Sequence, residues 1–200
     1  MFPSYSPFII NISKLISNFF NPMTSLVIYF IYFGSGNYTF KEGIHIFLPI
    51  LLLVIIPISF WIIWNVKKGK YTNMDVSNRK QRKSLYFFIA ITIITYLLYN
   101  YFQNENIDLV MIFLLVLLLV MQISNYFIKS SMHTAFNIFV AALFFSQNPF
   151  LGIIWLGIAV LVGITRIILK KHTPREVLLG GIISFFVSFI YLYTHIQFQQ

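Results

Sequence analysis

Cysteine is absent from the 200 residues, so disulfides and thiol chemistry are excluded and no redox compartment can be read from the chain. Charge is scarce as well. Charged residues make up 10% of the chain, against about 25% in ordinary soluble proteins. That shortage, with a hydrophobic share of 58% and a mean hydropathy of +0.81, excludes a soluble globular domain. The opening Met-Phe-Pro-Ser-Tyr-Ser-Pro has neither the basic leader nor the unbroken apolar core of a cleavable signal. The first membrane segment is therefore expected to stay and to direct insertion. No internal repeat and no second domain is evident.

Bulky apolar residues fill the space that charge leaves. The 23 Phe and 12 Tyr suit lipid contact and interfacial belts. The expected class is an all-α, polytopic transmembrane helix bundle of six or seven spans, forming a single membrane domain over 1–200. A net charge of +9 would raise the question of nucleic acid, but the basic residues lie in short loops between apolar runs. There they serve as topology signals or as a site for anionic groups, so the expected partners are membrane lipids and an anionic lipid, with no nucleic acid.

Taken in order, residues 1–20 place Phe8, Ile9, Ile12, Leu15, Ile16 and Phe19 at helical spacing around Lys14, the pattern of an interfacial helix. Asn21-Pro22 breaks the chain. Met23 to Phe33 is apolar for only eleven residues and ends at Gly34-Ser-Gly36; a span needs about 20, so this segment is helped by its flanks or is re-entrant. Ile44 to Trp64 is long enough to cross, with Pro49 and Pro57 accommodated inside it. These 64 residues read as N-terminal anchor helices. A basic loop follows over 65–84, holding seven of the 14 Lys and Arg. Leu85–Phe102 and Leu109–Phe127 are the next spans. A short apolar run, Ala135–Phe145, begins directly after Lys129-Ser-Ser-Met-His133-Thr. Phe150–Ile168 and Val177–Tyr193 close the series, and Gln197-Phe-Gln-Gln200 is a polar tail.

If all seven segments cross, the loop at 65–84, the Lys129–His133 junction and the stretch 166–176 share one face, because two spans separate each from the next. That face offers Lys70, Arg79, Arg82, Ser131, His133, Arg166, His172 and Glu176. Charge beside a bilayer is costly and marks a candidate functional site. Cations from separate segments, two imidazoles and a carboxylate suit phosphoryl transfer. Arg and Lys neutralise phosphate oxygens, one His attacks phosphorus, and another protonates the leaving oxygen. A carboxylate one helical turn from the nucleophilic His can fix its tautomer. The Ser-Met-His-Thr junction lies at a helix start, where backbone N–H groups suit an anion.

At these residues the chain resembles the type 2 phosphatidic acid phosphatase (PAP2) superfamily of membrane lipid phosphatases. Thr165-Arg166, five residues, His172, three residues and Glu176 follow the family's Ser-Arg-x5-His-x3-Asp. Ser130-Ser131-Met132-His133 follows Pro-Ser-Gly-His and loses the Pro and the Gly. Lys70 with Arg79 or Arg82 stands for Lys-x6-Arg-Pro, at longer spacing and without the Pro. The resemblance covers roughly 65–195 as a catalytic core. It implies His172 as the nucleophile forming a phosphohistidine, Glu176 as its orienting group and His133 as the acid. Arg166, Lys70, Arg79 or Arg82, and the Ser131 region would hold the phosphoryl oxygens. It implies no metal and no other cofactor.

Plainer readings stand beside these. Thr173-Pro174-Arg175-Glu176 is a capping box with Pro at the first helical position, so Glu176 has a role without any chemistry. Asp75 can pair with Arg79 inside the loop, and His45 and His195 sit at interfaces. Lys67, Lys68, Lys80, Lys83, Lys170 and Lys171 read as topogenic charges or headgroup contacts. The expected location is a multi-pass protein of a bacterial inner membrane. If the N-terminus lies there too, all Lys and Arg but Lys41 fall on the site's face, and after discounting the catalytic cations about eight still favour the cytoplasmic side. The resemblance points the other way, toward the exterior. Two functions remain open: an integral-membrane phosphatase for a lipid phosphate or polyprenyl diphosphate, or a non-catalytic relative that binds or transports lipid headgroups.

Overall fold

Helices supply all the regular structure among the described residues, 5–199, of the computed structural model. Met1–Ser4, which open the expected uncleaved segment, and Gln200 of the polar tail lie outside the described residues. The helices are α1 (Pro7–Phe19), α2 (Pro22–Asn37), α3 (Phe40–Ile50), α4 (Ile56–Lys67), α5 (Arg79–Asn104), α6 (Leu109–Phe127), α7 (Met132–Gln147), α8 (Pro149–Ile168) and α9 (Pro174–Gln199). A π-helical turn, Leu51–Ile55, joins α3 to α4. Five helical stretches are long and apolar enough to cross a membrane, or up to six if α1 and α2, bent by 54°, make one span. This is an all-α, multi-pass membrane fold.

Two of the seven expected segments are not single helices that qualify by length and composition. α7, with 16 residues, is a short apolar helix, and the segment read as Met23–Phe33 is part of the bent pair. Asn21 makes the bend by capping α2, its Oδ1 accepting the amides of Met23 at 3.0 Å and Thr24 at 3.1 Å. Gly34-Ser-Gly36 does not end that helix. Ser35 Oγ and Asn37 Nδ2 donate back to the carbonyls of Tyr32 and Phe33, each at 2.9 Å, and the helix runs on to Asn37.

The chain divides into two compact units, residues 1–29 with 128–200, and residues 30–127. In the first, α7 is the core. His133 to Phe144 are buried with the single exception of half-buried Ile138, and α7 packs against both α8 and α9. Asn148 turns the chain between α7 and α8, its side chain accepting the amides of Phe150 and Leu151. Gly152 allows the close return, since a Cβ there would lie 2.5 Å from Phe145 Cβ. Asn137 binds the layers from inside α7. It donates to the Phe20 carbonyl at 2.9 Å and accepts from Ser25 Oγ at 2.9 Å and Trp155 Nε1 at 3.3 Å.

α1 packs against α8. Its buried residues are Ser13 and Ser17, while Phe8 and Leu15 are each 72% exposed. The apolar stripe thus faces outward and the two serines face protein, as an amphipathic helix laid against lipid requires.

In the second unit, Thr39 and Glu42 form a reciprocal capping box at the start of α3. The 28-residue stretch Phe40–Lys67 is continuous through both prolines. Pro57 has no N–H and its ring crowds the carbonyl four residues back, so the helix widens to a π turn just before it. The Ile56 amide reaches the Leu51 carbonyl accordingly. α5 and α6 form an antiparallel pair tied at both ends. Arg79 Nε donates to the Asn125 carbonyl at 2.7 Å and Asn125 Nδ2 to the Arg79 carbonyl at 3.2 Å. At the other end, Tyr96 donates to Asp108 Oδ2 at 2.9 Å. Burial holds the Asp108 carboxyl above its ordinary range.

Candidate active site

The site in the first unit grows from the way α8 ends. Arg166 lies in its last turn, and its carbonyl accepts the amides of Lys171 at 3.0 Å and His172 at 3.3 Å. Lys170 takes the left-handed conformation, φ 54°, that lets the chain fold back. That turn buries both functional side chains, leaving Arg166 2% and His172 3% exposed. The Arg166 guanidinium donates to Ser17 Oγ of α1 at 3.0 Å.

His172 meets Glu176 one turn into the next helix, Nδ1 to Oε2 at 3.1 Å. The same oxygen accepts the Thr173 amide at 2.9 Å, and the Glu176 amide donates to Thr173 Oγ1 at 3.3 Å. The capping box and the imidazole contact therefore coexist on one carboxylate. An ionised carboxylate only accepts, so in this contact Nδ1 is the donor.

α7 brings its N-cap, Ser131, to the same place. The Ser131 amide donates to the Glu176 carbonyl at 3.0 Å, joining the starts of α7 and α9. Lys129 Nζ adds a second tie, to the Lys171 carbonyl at 2.8 Å. Ser131, fully buried, is the N-cap of α7, and its Oγ accepts from the Thr134 amide at 3.4 Å and from Thr134 Oγ1 at 3.0 Å. With both lone pairs taken, the Ser131 O–H remains to donate. His133 lies in the first turn, buried to 8% exposure. Gly180 permits this approach: a Cβ there would stand 2.7 Å from the Ser131 carbonyl oxygen.

Ser131, His133, Arg166, His172 and Glu176 thus share one unit. Lys70, Arg79 and Arg82 belong to the other. Lys70 lines a cavity of about 310 Å³ with Trp61, Asn65, Tyr71, Lys80, Gln81 and Ser84. Arg79 does not turn back to Asp75. Sitting first in α5, it sends its guanidinium to the carbonyls of Asn125 and Tyr126, while Asp75 accepts from Ser77 Oγ at 2.9 Å. Arg82 is buried and donates from Nε to the Val76 carbonyl at 3.1 Å. Among the described residues no group of three or more His, Asp or Glu is placed to hold a metal ion.

Sequence reasoning missed Ser17, Lys129, Thr134 and Gly180. Ser17 was legible only as one of two serines four apart on α1, and Gly180 only as half of Gly180-Gly181 in an apolar helix.

The family model of the PAP2 superfamily matches residues 122–199. The match includes Ser131, His133, Arg166, His172 and Glu176 and begins after Lys70, Arg79 and Arg82, so it takes in the second and third motifs and leaves out the first. No curated protein and no solved structure matches the chain.

Proposed function

We propose that the chain is an integral-membrane phosphatase that hydrolyses a lipid phosphate or polyprenyl diphosphate through a phosphohistidine on His172. The observation that carries this reading is the His172–Glu176 contact at 3.1 Å, with the imidazole buried, beside the guanidinium-bearing turn of Arg166 and inside the matched family segment. Glu176 holds the Nδ1 proton, so Nε2 attacks phosphorus. The P–O bond to the lipid oxygen breaks, and its electron pair leaves with that oxygen. His133, as imidazolium, gives the oxygen a proton. In the second half, neutral His133 takes a proton from water, whose oxygen attacks phosphorus. The N–P bond then breaks, returns its pair to Nε2, and inorganic phosphate leaves. Arg166 and the Ser131 O–H face the phosphoryl oxygens, a type of contact worth about 10²–10³ in rate for a single donor. Lys70 and Arg79 or Arg82 stay expectations from the first motif, each testable by alanine substitution.

The test is phosphate release in proteoliposomes from phosphatidate, phosphatidylglycerol phosphate, undecaprenyl diphosphate and lipid A. The expected result is release from at least one, with a pre-steady-state burst of the dephosphorylated product, and a loss of about 10³-fold or more in His172→Ala. Full activity in that variant sinks the reading. Met132, where the second motif has Gly, favours a second one: lipid-phosphate binding without turnover. Tight binding with no phosphate release across the panel would establish it. We place the cluster on the cytoplasmic face from the loop charge. In this cysteine-free chain, Arg175→Cys is then expected to resist a membrane-impermeant maleimide added to intact cells.

A further inference from the structure

Arg166 is held from a part of the chain that the family match does not reach. The match begins at residue 122, and the acceptor that meets the guanidinium is Ser17 Oγ of α1, at 3.0 Å and 149 positions away. Both side chains are buried. Burying a guanidinium is costly unless its donors are taken up, so a fixed acceptor decides where the charge points. Ser17 is fixed. Ile10, Ser13, Ser17 and the C-cap Phe20 recur at helical spacing as the buried and half-buried face of α1, and α1 packs against α8. Small serines let two helix backbones approach closely. Three residues past Ser17 the chain is pinned from two sides. The Phe20 carbonyl accepts from Asn137 Nδ2 of α7 at 2.9 Å, and the Phe20 ring meets Trp155 of α8 edge-on, with centroids 5.8 Å apart. Asn137 also accepts from Ser25 Oγ, beyond the bend, at 2.9 Å.

We infer that Ser17 is a positioning residue for Arg166: α1 holds the α8 guanidinium in the orientation that meets a phosphate at the cluster. The inference rests on the phosphate-site reading above. The use of a hydroxyl has a chemical reason. A carboxylate would hold the guanidinium more strongly, through bidentate and charge-assisted bonds, but it would cancel the charge that must meet the phosphate. A serine oxygen accepts one of the five guanidinium N–H groups and leaves that charge in place. What it contributes is orientation, since a flexible arginine side chain otherwise gives up its rotamer freedom on meeting the anion.

The test uses the full chain in phosphatidylcholine nanodiscs and two measurements. One is affinity for the tightest-bound lipid phosphate of the panel above, in a His172→Ala background where turnover is removed. The other is kcat/KM for phosphate release with His172 intact. Ser17→Ala is expected to lower both about tenfold, the lower end of the range for losing a group that orients a site residue. Ser17→Thr keeps the acceptor and should hold both within threefold of wild type. Ser17→Asp keeps an acceptor and adds the cancelling charge, so it should bind the lipid worse than Ser17→Ala does. Ser13→Ala removes the same hydroxyl one turn earlier on the same buried face and should stay within twofold. In an Arg166→Met background, where the guanidinium is gone, Ser17→Ala should cost less than a further twofold. Equal losses with and without the guanidinium, affinity within twofold of wild type in Ser17→Ala, or wild-type binding in Ser17→Asp would overturn the inference. So would the absence of binding to every lipid of the panel. Affinity that depends jointly on Ser17 and Arg166, with no phosphate release from any substrate, would keep the positioning role and sink the phosphatase reading instead.

Discussion

The chain makes the same turn twice. α4 and α8 each end with a carbonyl three residues from the helix end, Asn65 and Arg166, that accepts two amides: Lys70 and Tyr71 in one case, Lys171 and His172 in the other. A left-handed residue follows four positions on, Gly69 or Lys170, and its own amide returns to Val66 or Ile167. Both are Schellman closures. In both, the residue six positions after the accepting carbonyl is driven inward, leaving Tyr71 4% and His172 3% exposed. The backbone device is shared, and the buried side chain decides what it makes. Tyr71 accepts from Trp61 Nε1 at 3.0 Å and lies 2.9 Å from Ser84 Oγ, which finishes a corner. His172 has a carboxylate partner and a buried guanidinium in the same turn, the surroundings on which the proposed reactivity rests. Burial of a polar residue at a helix end is therefore not by itself a sign of chemistry; its partners are.

The strongest way to break this contrast is at the accepting residues. Arg166→Lys keeps the charge and loses the planar fork, and phosphate release is expected to fall about 10²-fold or more. Asn65→Ala should leave kcat/KM within threefold and cost only stability. Comparable activity losses at both positions would show the two turns to be equivalent.

Next in size is Glu176→Gln, which preserves the capping geometry, since Gln serves in capping boxes, and removes the charge beside His172. We expect kcat to fall about 10–100-fold, the range for losing a partner that orients a reactive imidazole, while the thermal midpoint in detergent stays near wild type. A large loss of stability with unchanged kcat would reduce Glu176 to a cap.

Gly180→Val comes third. Its Cβ would meet the Ser131 carbonyl oxygen at 2.7 Å, so the start of α7 must move. Overpacking of this kind costs about 1–3 kcal/mol, read as a lower melting midpoint with a parallel fall in activity. Gly181→Ala, beside it with only ordinary contact at 3.5 Å, is the control and should be near neutral.

The smallest effect separates backbone from chemistry. A non-glycine residue in the left-handed region costs roughly 1–2 kcal/mol, so Lys170→Gly should stabilise by up to about 1 kcal/mol and leave activity unchanged. Gly69→Ala should destabilise by a similar amount. Activity lost in Lys170→Gly would mean that this lysine is part of the chemistry and not only of topology.

Much of the candidate site was legible because its parts are local. The five-residue gap from Arg166 to His172 is the length a Schellman closure needs, and the three-residue gap to Glu176 is one helical turn; Thr173-Pro174 announces the cap between them. α7 was legible as a short helix with a polar start for the same reason. The alternating roles of α1 were legible only in part. Its period was plain, but only packing shows that Ser13 and Ser17 form the face turned to protein.

Local chemistry and apolar length, then, determined from sequence alone that this chain is helical and membrane-spanning, where several of its helices begin and end, and that His172 and Glu176 lie one turn apart. The tertiary structure alone decided that Arg166 reaches Ser17, 149 positions away in the chain, and that the Ser131 amide meets the Glu176 carbonyl. It also turned Arg79 toward α6 and away from Asp75. Those are choices among distant partners of similar chemistry. They are settled by which helices pack together, and no spacing along the chain encodes that.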